Sequence, residues 1–464
     1  MLISGGTVVD AAGERACDLR VGADGRVEDT ALGLVPRPGE PVHDATGKLV
    51  VPGGVDVHTH LNLPLGAVRV SDSFATGTRA AALGGTTTII DYVTVQRGED
   101  PMETVGLWQS WARDSAIDWG LHLTFTEPAS ESTLAAATAG GITSFKLYLA
   151  YPASLQVDDG TALRLMRAAR RHEMLVNLHC ENGDAIEELR REAVAAGRTA
   201  VAEHARTRPA ALEAEAVSRA AVLAEITGAG IYIVHVSSAD ALAAVRAARQ
   251  RGVDITAETC PHYLYLDASR LEGEDAADFV CTPPLRDSWH AEELWRGLAD
   301  GSIQTVATDH CPFWRADRRA GMAHPHGDAA DFTDIPGGLP GIETRLALLF
   351  EGVRAGRITV ADWVRLCAEA PSRTFGLWPE KGSLQIGADA DVVVWDPSRR
   401  QPLGASYLDM AVDHSPYEEM VVTGWPELVL SRGRVVARDG RFTGEQGWGR
   451  YRARRPRTYL GPGE

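Results

Sequence analysis

Gly53-Gly54-Val55-Asp56-Val57-His58-Thr59-His60 is a short apolar run that closes on two histidines one residue apart. Side chains alternate across an extended strand, so His58 and His60 point the same way and can grip one ion together. A pair of this kind is common; its surroundings give it weight. Seven more short apolar runs follow, at 86–91, 119–125, 142–147, 174–179, 230–235, 254–258 and 303–308. Between most of them lie alanine-rich stretches with helical spacing, such as 73–83, 162–171, 210–226 and 239–251. Eight strands with intervening helices predict an α/β fold, a (β/α)8 TIM-like barrel spanning 53–379. Further helices are expected at 341–355 and 360–370.

Outside this region the texture changes. Short alternating runs punctuated by glycine occur at 2–9, 18–21 and 48–51 and return at 390–395, 427–430 and 434–437. They predict a small β-sandwich domain built from both termini, 1–52 with 380–440. Residues 441–464 read as a C-terminal tail. Its arginines (Arg450, Arg452, Arg454, Arg455, Arg457) suggest a solvated arm or a subunit contact.

The chain has 464 residues, enough for a barrel plus a smaller domain. Its 63 acidic and 46 basic side chains leave a net charge of −17, which repels nucleic acid and anionic membranes. No apolar run is long enough to span a bilayer, and no signal peptide is expected at MLISGGTVVD. Six scattered cysteines without a CxxC pair read as reduced thiols, so a cytoplasmic enzyme with a small-molecule substrate is expected.

Barrel enzymes carry their chemistry where strands end. Here Lys146 lies on the fourth predicted strand, His179 on the fifth and His235 on the sixth, with Asp309 following the eighth. Singly, each histidine would be an ordinary buried side chain and Asp309 a helix cap. An ammonium has no lone pair, but a buried, neutral lysine that reacts with carbon dioxide becomes an anionic carbamate able to bridge two cations. The apolar setting of Lys146, Ser144-Phe145-Lys146-Leu147-Tyr148-Leu149, argues against a surface lysine. Together the six residues satisfy two metals such as zinc. One ion would take His58, His60 and Asp309, the other His179 and His235, with the carbamate and a hydroxide between them. A water shared by two cations ionises near neutral pH. His122 is expected to hydrogen-bond inside the barrel and His262 to be structural. His324 and His326 are expected to be exposed in a long 315–335 loop that could form part of a lid.

Several motifs resemble the dihydropyrimidinase/hydantoinase family of the amidohydrolase superfamily. They include Gly53 to Leu61, Thr76-Gly77-Thr78-Arg79-Ala80-Ala81-Ala82, Ser144-Phe145-Lys146 with Ala150-Tyr151, and His179-Cys180-Glu181-Asn182-Gly183-Asp184. Val234-His235-Val236-Ser237, Glu258-Thr259-Cys260-Pro261, Pro283-Pro284-Leu285-Arg286 and Asp309-His310-Cys311-Pro312-Phe313 follow in family order. The resemblance implies a barrel with a flanking β-sandwich, two zinc ions per subunit, N6-carboxylysine at Lys146 and a homotetramer or homodimer. It implies His58, His60, Lys146, His179, His235 and Asp309 as metal ligands and Asp309 as the general base and then acid. Tyr151 would donate to the developing oxyanion. Thr282 and Gly337 stand where the family binds the amide edge of the ring, largely through backbone groups; serine and asparagine are more usual there.

Asn62 stands where related dihydroorotases carry an arginine for the substrate carboxylate, which counts against a carboxylated ring. Allantoinases often have asparagine there, and Glu258 to Tyr263 is allantoinase-like. The 61–66 and 151–160 stretches look like hydantoinase loops, with Leu63, Leu65 and Leu155 as an apolar wall for the ring substituent. Opening of dihydropyrimidines or 5-substituted hydantoins is therefore the favoured expectation and allantoinase the alternative. Non-enzymatic scaffold relatives lose metal ligands, whereas this chain keeps all six.

Overall fold

The computed structural model describes residues 1–322 and 332–457. Eight parallel strands pair in sequence order: Gly54–Thr59, Thr86–Val93, Asp118–Thr124, Ser144–Tyr148, Leu175–His179, Ile231–Ile233, Ile255–Thr259 and Thr305–Val306. A bridge between Thr59 and His310, with the His60 amide donating to the His310 carbonyl at 3.0 Å, brings the last strand back to the first. The strands are buried almost throughout, which is why they read as near-continuous apolar runs rather than alternating ones. Ser73, Asp100, Ser130, Asp158, Asn182 and Ser238 each accept amides at the start of the helix that follows a strand.

Two predicted strands are shorter than expected. The sixth stops at Ile233 and the eighth at Val306. The backbone turns left-handed at His235 (φ 39°) and Asp309 (φ 50°), so neither residue can stay in the ladder. The helix expected over 341–355 begins at Arg345, and the 360–370 helix continues through a π turn into Ala370–Thr374.

The termini build two sheets. One orders Val27–Ala31, Asp18–Val21, Leu2–Ser4 and Val42–Asp44. In the other, Val392–Pro402 lies between Leu49–Pro52 and Val421–Ser431, antiparallel to both. Ile3, Val8, Leu19, Val50, Val392, Val394, Leu428 and Leu430 form the core between them. Gly53 joins this unit to the first barrel strand, and only glycine fits: a Cβ there would sit 2.1 Å from Thr87 Oγ1.

The junction is also electrostatic. Lys381 is wholly buried, with its ammonium 2.6 Å from Asp118, 2.8 Å from Asp391 and 3.1 Å from Asp389. Arg432 and Arg452 complete the cluster, each 3.0 Å from Asp118 and Asp389 respectively. Lys381→Met would leave carboxylates underpaired in the interior, so we expect a loss of about 3–5 kcal/mol. Denaturant unfolding measures it; an unchanged midpoint would show that Lys381 does not hold the junction.

Two expectations about the C-terminal half are corrected. Residues 449–457 are not a solvated arm. The Trp119 amide donates to the Arg450 carbonyl and the Arg452 amide to the Trp119 carbonyl, and Arg454 is buried, donating to Ser144 Oγ at 2.7 Å and to the Leu121 carbonyl. Acceptors at the barrel floor need donors, and a guanidinium supplies five. The 315–335 segment is not all loop, because Arg315–Met322 is a helix. His324 and His326 lie outside the described residues. No helix among the described residues is long and apolar enough to cross a membrane. All six cysteines are buried and free.

Candidate active site

The first strand delivers the histidine pair, and two buried aspartates aim it. Asp56 accepts from the Thr308 amide at 3.1 Å and the Thr308 hydroxyl at 2.6 Å, tying strand one to the turn that carries Asp309. Asp91 accepts from Thr59 Oγ1 at 2.7 Å, the Leu61 amide at 2.8 Å and Trp108 Nε1 at 3.2 Å, which fixes the chain just past His60. His58 Nε2 and His60 Nε2 then lie 3.0 and 3.2 Å from the same oxygen, Asp309 Oδ1. Ligand atoms of these three residues all fall within 4.8 Å of one another.

Lys146 Nζ is 3.0 Å from His58 Nε2, with the Tyr92 and Tyr148 rings 4.5 and 4.9 Å away. His179 Nδ1 and His235 Nε2 are 3.0 Å apart, and the His235 ring is 5.5 Å from that of His58. The six sequence-predicted ligands thus form two adjoining groups with the lysine beside His58.

Carboxylates behind the ring set the tautomers. Glu258 Oε1 accepts a hydrogen bond from His58 Nδ1 at 2.7 Å, which leaves Nε2 facing Asp309 and Lys146. Glu181 Oε2, 2.8 Å from His179 Nε2, does the same for His179 and leaves Nδ1 facing His235. Burial disfavours protonation of His60, His179 and His235, whereas at His58 burial and Lys146 are outweighed by Asp309 and Glu258, which raise its pKa; imidazoles converging on a carboxylate are a donor set for a cation. Burial lowers the His60 pKa to about 4, although Asp309 opposes this. The His60 Nδ1 and His235 Nδ1 atoms are also buried without a hydrogen-bond partner among the described residues.

Tyr151, His235 and Asp309 all have positive φ (68°, 39° and 50°). Bulky residues rarely adopt this conformation, and such strain gathers at functional sites. The Tyr151 carbonyl accepts amides from Ser154, Leu155 and Gln156, each at 3.0 Å, which holds the turn. Its hydroxyl faces Thr282. A Cβ on Gly337 would be 3.2 Å from Thr282 Oγ1, so Tyr151, Thr282 and Gly337 adjoin. Leu155 is half-buried in the Tyr151 turn, Leu63 is in the core, and Leu65 is 41% exposed on a short hairpin.

His122 is bonded inside the barrel, to Ser144 Oγ at 2.6 Å and the Val57 carbonyl at 3.1 Å. His262 is buried against Tyr263. Asn62 has a local role: at φ 57° its side chain accepts the Phe74 amide at 2.7 Å. Sequence reasoning missed the roles of Glu181, Glu258 and Arg208. A glutamate inside the buried strand Ile255–Thr259 was itself a signal, since such a charge requires a partner. Arg208 carried none.

Residues 49–436 match the amidohydrolase family. The D-hydantoinase of Geobacillus stearothermophilus is 43% identical over 458 residues, covering 97% of this chain and 95% of that protein. The solved structure of a D-hydantoinase from a Bacillus species has a TM-score of 0.94 at 41% identity, covering 98% of this chain and 99% of that one. The dihydropyrimidinase of Brevibacillus agri gives 0.94 at 38% identity, covering 99% of each. The chain belongs to the amidohydrolase family. Within it, its place is with the hydantoinases and dihydropyrimidinases.

Proposed function

We propose that this chain is a cyclic amidohydrolase that opens the amide bond of 5-substituted hydantoins and dihydropyrimidines at a pair of divalent cations. The observation that carries the reading is the convergence of His58, His60 and Asp309 beside Lys146 and the His179–His235 pair. The first three residues would hold one cation and the two histidines the other, with Lys146, as its carbamate, ligating both. Zinc suits this mixture of imidazole and carboxylate. When bound, the cations would polarise the ring carbonyl and acidify a water.

The chain's own groups do the rest. Asp309 takes the proton of the attacking water and returns it to the departing amide nitrogen. Tyr151 donates to the oxygen that gains charge. Burial raises its pKa to about 12 despite Arg208, so the phenol stays protonated at working pH. Backbone groups at Thr282 and Gly337 hold the amide edge, and Leu63, Leu65 and Leu155 flank the ring substituent. The acidic composition and six buried free thiols support a cytoplasmic setting. The relatives' family supports a homotetramer or homodimer.

Similarity at about 40% identity to hydantoinases supports this reading over allantoinase. The test is a parallel ring-opening assay of zinc-loaded protein on dihydrouracil, hydantoin, 5-substituted hydantoins, allantoin and dihydroorotate. Dihydrouracil and hydantoins should turn over faster than allantoin, and dihydroorotate slowest. Dominant allantoin turnover would reverse the assignment.

A further inference from the structure

Arg208 lies behind the site and takes no part in the chemistry above. It is 6% exposed and stands just before the helix Ala210–Thr227. Its Nη1 is 2.7 Å from Glu181 Oε2, the same oxygen that accepts from His179 Nε2 at 2.8 Å. Its guanidinium carbon also sits 5.5 Å from the centre of the Tyr151 ring, which is itself 5.3 Å from the His179 ring. Tyr151 is therefore bracketed by His179 and Arg208, and Glu181 ties those two together.

We propose that Arg208 is a positioning residue that sets the Tyr151 hydroxyl in register with the His179 imidazole. The proposal rests on the reading of Tyr151 as the oxyanion donor. Three amides anchor the Tyr151 carbonyl, but the direction of its ring depends on what flanks it. A guanidinium can pair edge-on with a carboxylate while its face lies against an aromatic ring; an ammonium cannot do both. Glu181, 1% exposed, needs a cation beside it. Arg208 is held in turn by Arg286, which donates to the Arg208 carbonyl and pairs with Glu213 at 3.0 Å. One side chain thus meets two requirements, and only arginine suits both.

The test is a double-mutant cycle on the metal-loaded protein with Arg208→Lys, Tyr151→Phe and the pair, reading kcat, KM and bound metal. Lysine still neutralises Glu181, so metal content should match the unsubstituted protein. Misplacing the phenol should lower kcat about 10-fold with KM changed less than about 3-fold. Tyr151→Phe should cost about 100-fold in kcat. The double variant should be no slower than Tyr151→Phe, because a residue that acts through Tyr151 has nothing left to position. Losses that multiply, or an Arg208→Lys variant with full kcat, would overturn the proposal alone. Full activity in Tyr151→Phe would instead overturn the donor reading, and the proposal with it. If Arg208→Lys does not fold, Arg208→Gln, whose side-chain amide can still donate to Glu181, replaces it in the same cycle, with the same expected outcome.

Discussion

Asp309→Asn should lower kcat by about 10⁴-fold, the upper end of what general acid–base catalysis contributes. The substitution keeps shape and one ligating oxygen but removes the ability to accept a proton. No other carboxylate takes its place: Glu258 is occupied by His58, Tyr232 and the His235 amide, and Glu181 by His179 and Arg208. Asp309 is also suited to remain a base. Burial raises its pKa, but the neighbouring His58 and His60 imidazoles outweigh that and hold it well below the ordinary carboxylate value. The amide would offer His58 and His60 a weaker, neutral partner, so some loss of bound metal should accompany the loss of rate. Metal analysis beside the kinetics separates the two effects. A variant with metal in place and more than about a tenth of the original kcat would mean that the base lies elsewhere.

Lys146→Ala should lose most bound metal and slow ring opening by roughly 10³-fold, equivalent to several kcal/mol of charge stabilisation. The lysine is 1% exposed, and burial lowers its pKa to about 8 against the upward pull of Asp309 and Glu258. At neutral pH about a tenth of it is therefore the free amine, the form that reacts with carbon dioxide. Without the carbamate, four histidines and one carboxylate are short of ligands for two cations. Lys146→Met keeps the volume and should fail in the same way, which excludes a cavity effect. Labelled bicarbonate should give a protein carbamate signal in the unsubstituted chain and none in either variant. Full metal occupancy and activity in Lys146→Ala would remove the bridging role.

The barrel and the six residues that converge at its mouth were legible because both rest on local patterns. A strand buried on both faces must be apolar, so eight runs could be counted. Strand ends mark where side chains reach the site, so His58, His60, Lys146, His179, His235 and Asp309 could be named without knowing how the barrel closes. The left-handed turns at Tyr151, His235 and Asp309 had no such mark, since nothing in the composition of these segments demands a positive φ. The tail misled because arginine-rich ends are usually solvated, and acceptors at the barrel floor cannot be seen from the tail itself.

What the sequence determined by itself was therefore the periodicity, the element order and which residues stand at the strand ends. The tertiary structure decided which distant groups meet them: Glu258 behind His58, 200 residues away; Arg208 between Glu181 and Tyr151; Lys381 among three aspartates. Apolar patterning is dictated one element at a time, by the need to bury a face. The partner of a buried charge is chosen only when sheet closure brings chain-distant segments within hydrogen-bonding distance, and no local rule encodes that choice.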